Sequence, residues 1–188
     1  MRESAKHDCM CHPFVPQIKI PEFMTYVKSF KPLINENARV LILGSMPGVQ
    51  SLKLQQYYAH PQNNFWRIMF ALFKHPQESD YKRKLAFLQE RGIALWDTLE
   101  SCYRPGSSDS DITNEKANNF QRLFKTYPDI RALFFNGVKS YEAFRKKVGF
   151  ELTGDRFCLK LPSSSPANNA IPFDEKLRQW SIVLEYLF

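Results

Sequence analysis

Three short aliphatic runs place the strongest constraint on the fold of this chain. They read ARVLILGS at 38–45, GIALWDTL at 92–99 and IRALFFNG at 130–137. Runs of this length and composition are typical of strands that are buried on both faces of a parallel sheet. Because segments with helical spacing separate them, we predict an α/β fold with three α/β/α layers around a small central parallel sheet.

The spacing of apolar residues predicts the helices between these runs. Apolar residues recur at intervals of three, four and seven positions, which places them on one helical face. The predicted helices include a first one carrying Phe23, Tyr26, Val27 and Phe30, one opened by Pro61, and others at 80–91, 114–125 (capped by Thr113), 141–148 and 174–187. The segment RFCLKL at 156–161 alternates instead and predicts an edge strand.

The first residues differ in character from the rest of the chain. We expect 1–20 to form a flexible extension and 21–188 to form a single domain. The run HDCMCH at 7–12 could ligate a metal, but it lacks the usual zinc spacing and has no second ligand pair downstream, so we predict no metal. No secretory signal or bilayer-spanning segment is recognisable, and we expect an intracellular protein, cytoplasmic in a prokaryote or nuclear in a eukaryote.

The charge of the chain is moderately basic. Lys and Arg number 26 against 19 Asp and Glu, which gives a net charge of +7 and a pI near 9.2. A positive excess favours contact with a phosphate polymer, although it also serves solubility alone. The clusters at 82–84 and 145–147 lie in helical patterns and could be simple solvated faces.

Unusual residues collect in the loops that follow the predicted strands. Ligands of open α/β sheets bind beyond the carboxyl ends of the strands, here at 45–64, 98–113, 136–140 and 162–169. The first loop begins with Gly44-Ser45-Met46-Pro47-Gly48, a turn that can expose backbone N–H groups to a polar ligand. Tyr57 and Tyr58 then offer ring faces, and Asn63 and Asn64 offer amides. Taken singly, these features are equally explained by a tight turn, loop packing and helix capping.

Longer strings carry a resemblance to a known family. GSMPG…SL…QYYAHPQNNFW, GIALWD, GSSDSDI, FNGVKSYEAF and LPSSSPANNA resemble the hypoxanthine-DNA (deoxyinosine) glycosylase branch of the uracil-DNA glycosylase superfamily. The resemblance extends from Ala38 to the C-terminus. It implies a uracil-DNA glycosylase-like fold and hydrolysis of the N-glycosidic bond of a deaminated base in DNA, which leaves an abasic site.

The same resemblance implies roles for individual residues. It makes Asn63 the catalytic residue, which either orients a water or holds the base, since Met46 stands where mismatch-specific relatives carry their catalytic asparagine. Leu161 stands where uracil enzymes often carry histidine, which also argues against uracil. The implied base pocket is Gly44, Ser45, Met46, Pro47, Gly48, Tyr58, His60 and Asn136, with Tyr58 stacking on the extruded base. The implied DNA-binding loop is Pro162, Ser163, Ser164, Ser165 and Pro166.

The expected activity is that of a monofunctional glycosylase. No lysine occupies an evident nucleophile position, so we expect no Schiff-base step, and we expect no metal, iron–sulfur cluster or other cofactor. The expected partner is DNA containing a damaged base, bound by a monomer without a membrane. Two alternatives stay open: a uracil- or xanthine-DNA glycosylase of the same fold, and a DNA- or nucleotide-binding module without catalysis. Asp97 could assist the reaction, or it could serve as a structural cap.

Overall fold

The computed structural model describes residues 24–168 and 170–188. Its strands are β1 (Thr25–Lys28), β2 (Val40–Gly44), β3 (Ile93–Asp97), β4 (Leu99–Arg104), β5 (Thr113–Ala117), β6 (Ala132–Asn136) and β7 (Phe157–Leu161). Its α-helices are α1 (Val49–Leu54), α2 (Phe65–Leu72), α3 (Tyr81–Glu90), α4 (Phe120–Thr126), α5 (Val138–Lys147) and α6 (Phe173–Trp180). The predicted extension at 1–20 lies outside the described residues.

A parallel sheet lies between two helical layers. Its four strands run in the order β3-β2-β6-β7, and every neighbouring pair is parallel. One face packs against α2, α3 and α6, and the other packs against α4 and α5. The consecutive residues Ile42 and Leu43 of β2 pack in the cores on opposite faces of the sheet, which is why the run is apolar throughout. The predicted three-layer architecture and the edge position of β7 are confirmed.

A second, antiparallel sheet was not predicted. It contains three strands in the order β1-β4-β5. The helix predicted from Phe23 to Phe30 is wrong, because residues 25–28 form β1 and pair with β4. Only Val27 of β1 is buried, so apolar residues at helical spacing here do not mark a helical face.

The helix predicted at 114–125 is wrong in its first half. Residues 113–117 form β5, paired with β4, and α4 begins only at Phe120. Asn119, not Thr113, caps α4, because its side chain accepts a hydrogen bond from the N–H of Arg122. The other predicted helices lie within a few residues of α2, α3, α5 and α6, but Pro61 lies in a turn and does not open α2. α6 ends at Trp180 and continues as a 3₁₀ helix to Tyr186. Helix α1 was not predicted, because it lies in the stretch 45–64 that was expected to be a loop.

Candidate active site

A cleft of about 750 Å³ opens at the carboxyl ends of β2, β3 and β6. Such a position is expected for the ligand site of an open α/β sheet. Of the residues implied by the resemblance, the cleft is lined by Gly44, Ser45, Met46, Pro47, Gly48, Tyr58, His60, Asn63, Asn136, Ser163, Ser164, Ser165 and Pro166. Pro162 instead lines an adjoining cleft, which also contains Lys139 and Lys160.

The turn after β2 is held in place by the segment that follows β4. The Ser45 hydroxyl donates to Asp109 Oδ1 at 2.6 Å, and the Val49 N–H donates to Ser107 Oγ at 2.8 Å. The buried Arg104 guanidinium donates to the carbonyl of Pro47. These contacts fix the backbone at the mouth of the cleft before a ligand arrives. Met46 is buried in a small apolar cluster.

Tyr58 adopts a backbone conformation that is rare for an aromatic residue. Its φ is +55°, in the left-handed region, which costs on the order of 1–3 kcal/mol and recurs at functional sites. Its ring stacks on Phe65, with centroids 3.8 Å apart and planes at 18°. Since Tyr58 also lines the cleft, the ring face that Phe65 leaves uncovered is the one available to a base.

The hydroxyl of Tyr58 is buried and forms no hydrogen bond of ordinary geometry with the described residues. Burial raises the pKa of this phenol, against the lowering effect of the nearby Asn136 side chain. Tyr57 behaves differently, because its hydroxyl donates to the Lys31 carbonyl at 3.0 Å and its ring is buried. The packing alternative therefore describes Tyr57, whereas Tyr58 keeps an unpaired polar atom beside the cleft.

Asn63 precedes Asn64, the N-cap residue of α2, and its side chain both contacts the start of the helix and lines the cleft. Its Oδ1 accepts a hydrogen bond of 2.9 Å from the N–H of Phe65, the first residue of α2. The Nδ2 group can donate to a ligand, and Oδ1, which has two lone pairs, can accept a second hydrogen bond. The adjacent Asn64 contributes its backbone N–H to the carbonyl of Ser164 at 2.9 Å.

Asn136 and the serine loop are joined by their side chains. Asn136 Nδ2 donates to Ser164 Oγ, and the Ser164 N–H donates to Asn136 Oδ1, both at 2.8 Å. Ser164 is fully buried, so its hydroxyl supports the loop and does not face solvent. Ser163 and Ser165 are half-buried, and their hydroxyl oxygens accept backbone N–H groups two residues ahead.

His60 lies at the exposed rim of the cleft. Its Nδ1 accepts a hydrogen bond of 3.2 Å from the N–H of Gln62, and the side chain is exposed to solvent. An exposed imidazole that is tied to its own turn can shape the entrance. It has no buried partner that would orient it for proton transfer.

Asp97, the last residue of β3, occupies a more prominent position than the sequence indicated. It lines the cleft, only 4 % of its surface is exposed, and Oδ2 accepts a hydrogen bond of 2.7 Å from Ser29 Oγ. Burial raises the pKa of this carboxyl to about 7, against the lowering effects of Ser29 and of the nearby Arg104 charge. A carboxyl group with this pKa beside a cleft is a candidate functional group. The only feature of the sequence that pointed to Asp97 was its position as the one polar residue, at the end of an otherwise apolar strand.

Residues 24–168 and 170–188 contain neither a candidate metal site nor a candidate membrane span. No group of three or more His, Cys, Asp or Glu side chains lies close enough to hold a metal ion in this part of the chain. The run at 7–12 is outside it. No helix within 24–168 and 170–188 is long and apolar enough to cross a membrane.

The fold agrees with what comparison with known proteins finds. The model of the uracil DNA glycosylase superfamily matches residues 31–184, and the chain belongs to that superfamily. A solution NMR structure from Methanosarcina acetivorans, assigned to the uracil DNA glycosylases, has the same fold with a TM-score of 0.76 at 34% identity. That match covers 87% of this chain and 99% of the other.

The names of two curated relatives also specify the base. A hypoxanthine DNA glycosylase of Methanosarcina acetivorans is 36% identical over 162 residues, which are 85% of this chain and 98% of the relative. A hypoxanthine DNA glycosylase of Methanosarcina barkeri is 38% identical over 127 residues, which are 66% of this chain and 80% of the relative. The predicted resemblance to the hypoxanthine branch is thereby confirmed.

Proposed function

We propose that this chain is a monofunctional DNA glycosylase that removes hypoxanthine from DNA and leaves an abasic site. The observation that carries the proposal is the cleft at the strand ends, where the turn after β2, the Tyr58 ring and the Asn63 amide line one cavity. Its volume of about 750 Å³ is enough to hold a flipped nucleotide. The names of two relatives that match most of this chain support hypoxanthine as the base.

The proposed reaction depends on positioning more than on a strong nucleophile. Cleavage of a glycosidic bond passes through an oxocarbenium-like state, which needs an oriented leaving group and water. Tyr58 holds the extruded base by its open face. The backbone of 45–48, fixed by Arg104 and Asp109, keeps polar groups aimed at the base without reorganisation during the reaction.

Asn63 supplies a side-chain donor to the bound base. Its Nδ2 group forms no hydrogen bond with the described residues and can donate to the base, while Oδ1, which accepts the Phe65 N–H, keeps a second lone pair. The keto oxygen of hypoxanthine accepts such a hydrogen bond, and the interaction strengthens as the departing base gains negative charge. Of the two roles that the resemblance leaves open, we assign Asn63 to holding the base, because its Nδ2 donor matches the keto oxygen.

The absence of a Schiff-base step is also part of the proposal. Among the described residues that line the cleft there is no lysine. Lys139 and Lys160 lie in the adjoining cleft, and Lys139 is paired with Glu115. We therefore propose that Lys139, Lys160 and the loop from Pro162 to Pro166 contact the DNA backbone. Since no lysine is placed to attack the sugar, we expect no strand cleavage without added alkali.

A single assay separates the candidate functions. Duplexes carrying one inosine, one uracil or one xanthine are incubated with the protein, and abasic sites are then cleaved with alkali. Breaks at inosine above the other two support the proposal. Breaks mainly at uracil or xanthine would mean that the protein is a glycosylase for that base. Binding of the duplexes without breaks would mean that it is a DNA-binding module without catalysis.

A further inference from the structure

We propose that Lys176 is a positioning residue for DNA binding, because its buried ammonium group holds the serine loop, residues 162–168, in the form that contacts the DNA backbone. The inference rests on the proposed function, which assigns Pro162 to Pro166 of this loop to that contact. Lys176 itself lines neither cleft, so its effect on DNA binding is exerted through the loop.

Helix α6 holds both ends of the serine loop. At the first end, Trp180 Nε1 donates a hydrogen bond of 2.9 Å to the carbonyl of Pro162. At the other end, Lys176 Nζ donates a hydrogen bond of 2.6 Å to the carbonyl of Asn168. Lys176 and Trp180 are four residues apart and therefore lie on the same face of the helix. Two side chains one helical turn apart thus fasten the loop to α6.

The end that Lys176 holds is also bonded to the middle of the loop. The N–H of Asn168 donates to the carbonyl of Ser165 at 3.0 Å, and its Nδ2 donates to the carbonyl of Ser163 at 3.3 Å. Ser163 and Asn168 each line both clefts. The position of Asn168 therefore determines where the serines lie between the two clefts, and Lys176 fixes that position.

The ammonium group of Lys176 is buried without a carboxylate partner among the described residues. Only 1 % of the surface of this residue is exposed, and burial lowers the pKa of its side chain. One of its three donors bonds with the carbonyl of Asn168. A buried cation without a carboxylate usually stabilises a fold no better than an apolar residue of similar volume. The lysine at this position is therefore better explained by the loop that it holds than by the packing of α6.

A loop that is already held in place binds DNA with a smaller loss of conformational freedom. Hydroxyl and backbone N–H groups contact phosphates, and several of them must point in the right direction at the same time. Without the hydrogen bond from Lys176, the loop has this arrangement in only a fraction of the molecules, and the apparent affinity falls by that fraction. The chemical step should not change, because Tyr58 and Asn63 lie in another loop.

The first experiment measures single-turnover cleavage of an inosine duplex at increasing concentrations of the parent and of Lys176→Met. Methionine has a similar volume and no donor, so the enzyme concentration at half-maximal rate should rise about tenfold while the maximal rate stays within about twofold. The control is Lys147→Met, which removes the same charge from the exposed end of α5 and should behave like the parent. A half-saturating concentration of Lys176→Met within about twofold of the parent would overturn the inference.

The same titration at several salt concentrations separates positioning from direct contact. Since the ammonium group is buried and bonds with Asn168, the slope of log affinity against log salt should equal that of the parent. A slope reduced by about 1 would mean that Lys176 itself neutralises a phosphate, and it would contradict the positioning role.

Two measurements on the free protein test whether Lys176 acts on the loop. Lys176→Met should melt at the same temperature as the parent or above it, because a buried charge without an ion pair is removed. The N–H of Asn168 should exchange faster with solvent, since this end of the loop opens more often. Unchanged exchange of this N–H would contradict the inference. So would a melting temperature low enough for unfolding to account for the loss of affinity.

These outcomes separate the two proposals. If the parent cleaves inosine and Lys176→Met reaches half-maximal rate at the same concentration, the proposed function stands and the positioning role of Lys176 fails. If the parent cleaves no inosine duplex, the proposed function fails before any variant is compared, and this inference fails with it.

Discussion

Asn136 and Ser164 exchange two hydrogen bonds of 2.8 Å each, which join the end of β6 to the loop after β7. The pair closes one wall of the cleft, because both residues line it. Asn136→Ala would leave the N–H and the hydroxyl of the buried Ser164 unpaired. We expect the free energy of unfolding to fall by about 1–3 kcal/mol, measured by chemical denaturation.

A double-mutant cycle provides the control for this pair. Since Ser164→Ala removes one of the same two hydrogen bonds, the combined variant should cost less than the sum of the single changes. Ser165→Ala, whose hydroxyl accepts only the Ala167 N–H at 3.3 Å, should change stability by no more than about 0.5 kcal/mol. Strict additivity of the first two would mean that the exchange does not couple the loop to β6.

Asn63 and Asn64 are neighbours with different contacts. Asn63→Ala removes the hydrogen bond to the first N–H of α2 and the amide that lines the cleft, so stability should fall by about 1 kcal/mol while turnover falls by on the order of a hundredfold. Asn64→Ala retains the backbone N–H that binds Ser164 and should cleave nearly normally. Single-turnover cleavage of an inosine duplex checks both. An inactive Asn64→Ala beside an active Asn63→Ala would move the catalytic assignment by one residue.

The ring and the hydroxyl of Tyr58 can be tested separately. Tyr58→Phe keeps the stack on Phe65 and removes a buried hydroxyl without a partner, so it should remain folded and largely active. Tyr58→Ala should lose about 1–3 kcal/mol of base binding, the usual value of one stacking contact. Binding of inosine duplexes by fluorescence anisotropy measures the difference. Equal affinity of Tyr58→Ala and the parent would reduce this ring to a packing role.

The parallel sheet was predictable from sequence, whereas the antiparallel sheet was not. β2, β3 and β6 are buried on both faces, so their composition alone identifies them. β5 reads TNEKA and is largely exposed, so it carries no apolar pattern and depends on pairing with β4. Tertiary pairing of this kind overrides local periodicity.

The candidate site was likewise predictable only in part from the sequence. The rule that ligands bind at strand ends locates the cleft, and glycine and amide residues identify its lining. The contact of Asp97 with Ser29 joins residues 68 positions apart and has no local signal. Likewise, a run of serines predicts an exposed polar loop, yet Ser164 is buried because Asn136 satisfies both its N–H and its hydroxyl.

The affinity for DNA should fall as salt rises, because lysines of the adjoining cleft contact phosphates. Lys160 is exposed and lines the cleft that also contains Pro162. Lys160→Gln should weaken binding to every duplex similarly and reduce the slope of log affinity against log salt by about 1. Lys125→Gln is the matched control. Lys125 lies at the end of α4, just before β6 begins, and is therefore near the amino ends of the strands, away from the clefts. Equal slopes for both variants would place the DNA on another surface.

The buried carboxyl of Asp97 should make the protein less stable as the pH rises. Its pKa is about 7 in the folded state against an ordinary value of 3.8, so between these pH values the folded chain holds a proton that the unfolded chain releases. The free energy of unfolding therefore falls from about pH 4 to pH 7, by at most about 4 kcal/mol from this group. Asp97→Asn has no such proton and should be more stable than the parent at pH 8, with a smaller difference at pH 4. Urea denaturation at both pH values measures the effect. A variant that is stabilised at pH 8 and yet inactive toward inosine would show that this carboxyl is retained for the reaction at the expense of stability. A variant equally destabilised at both pH values would instead identify Asp97 as the structural cap considered at the outset.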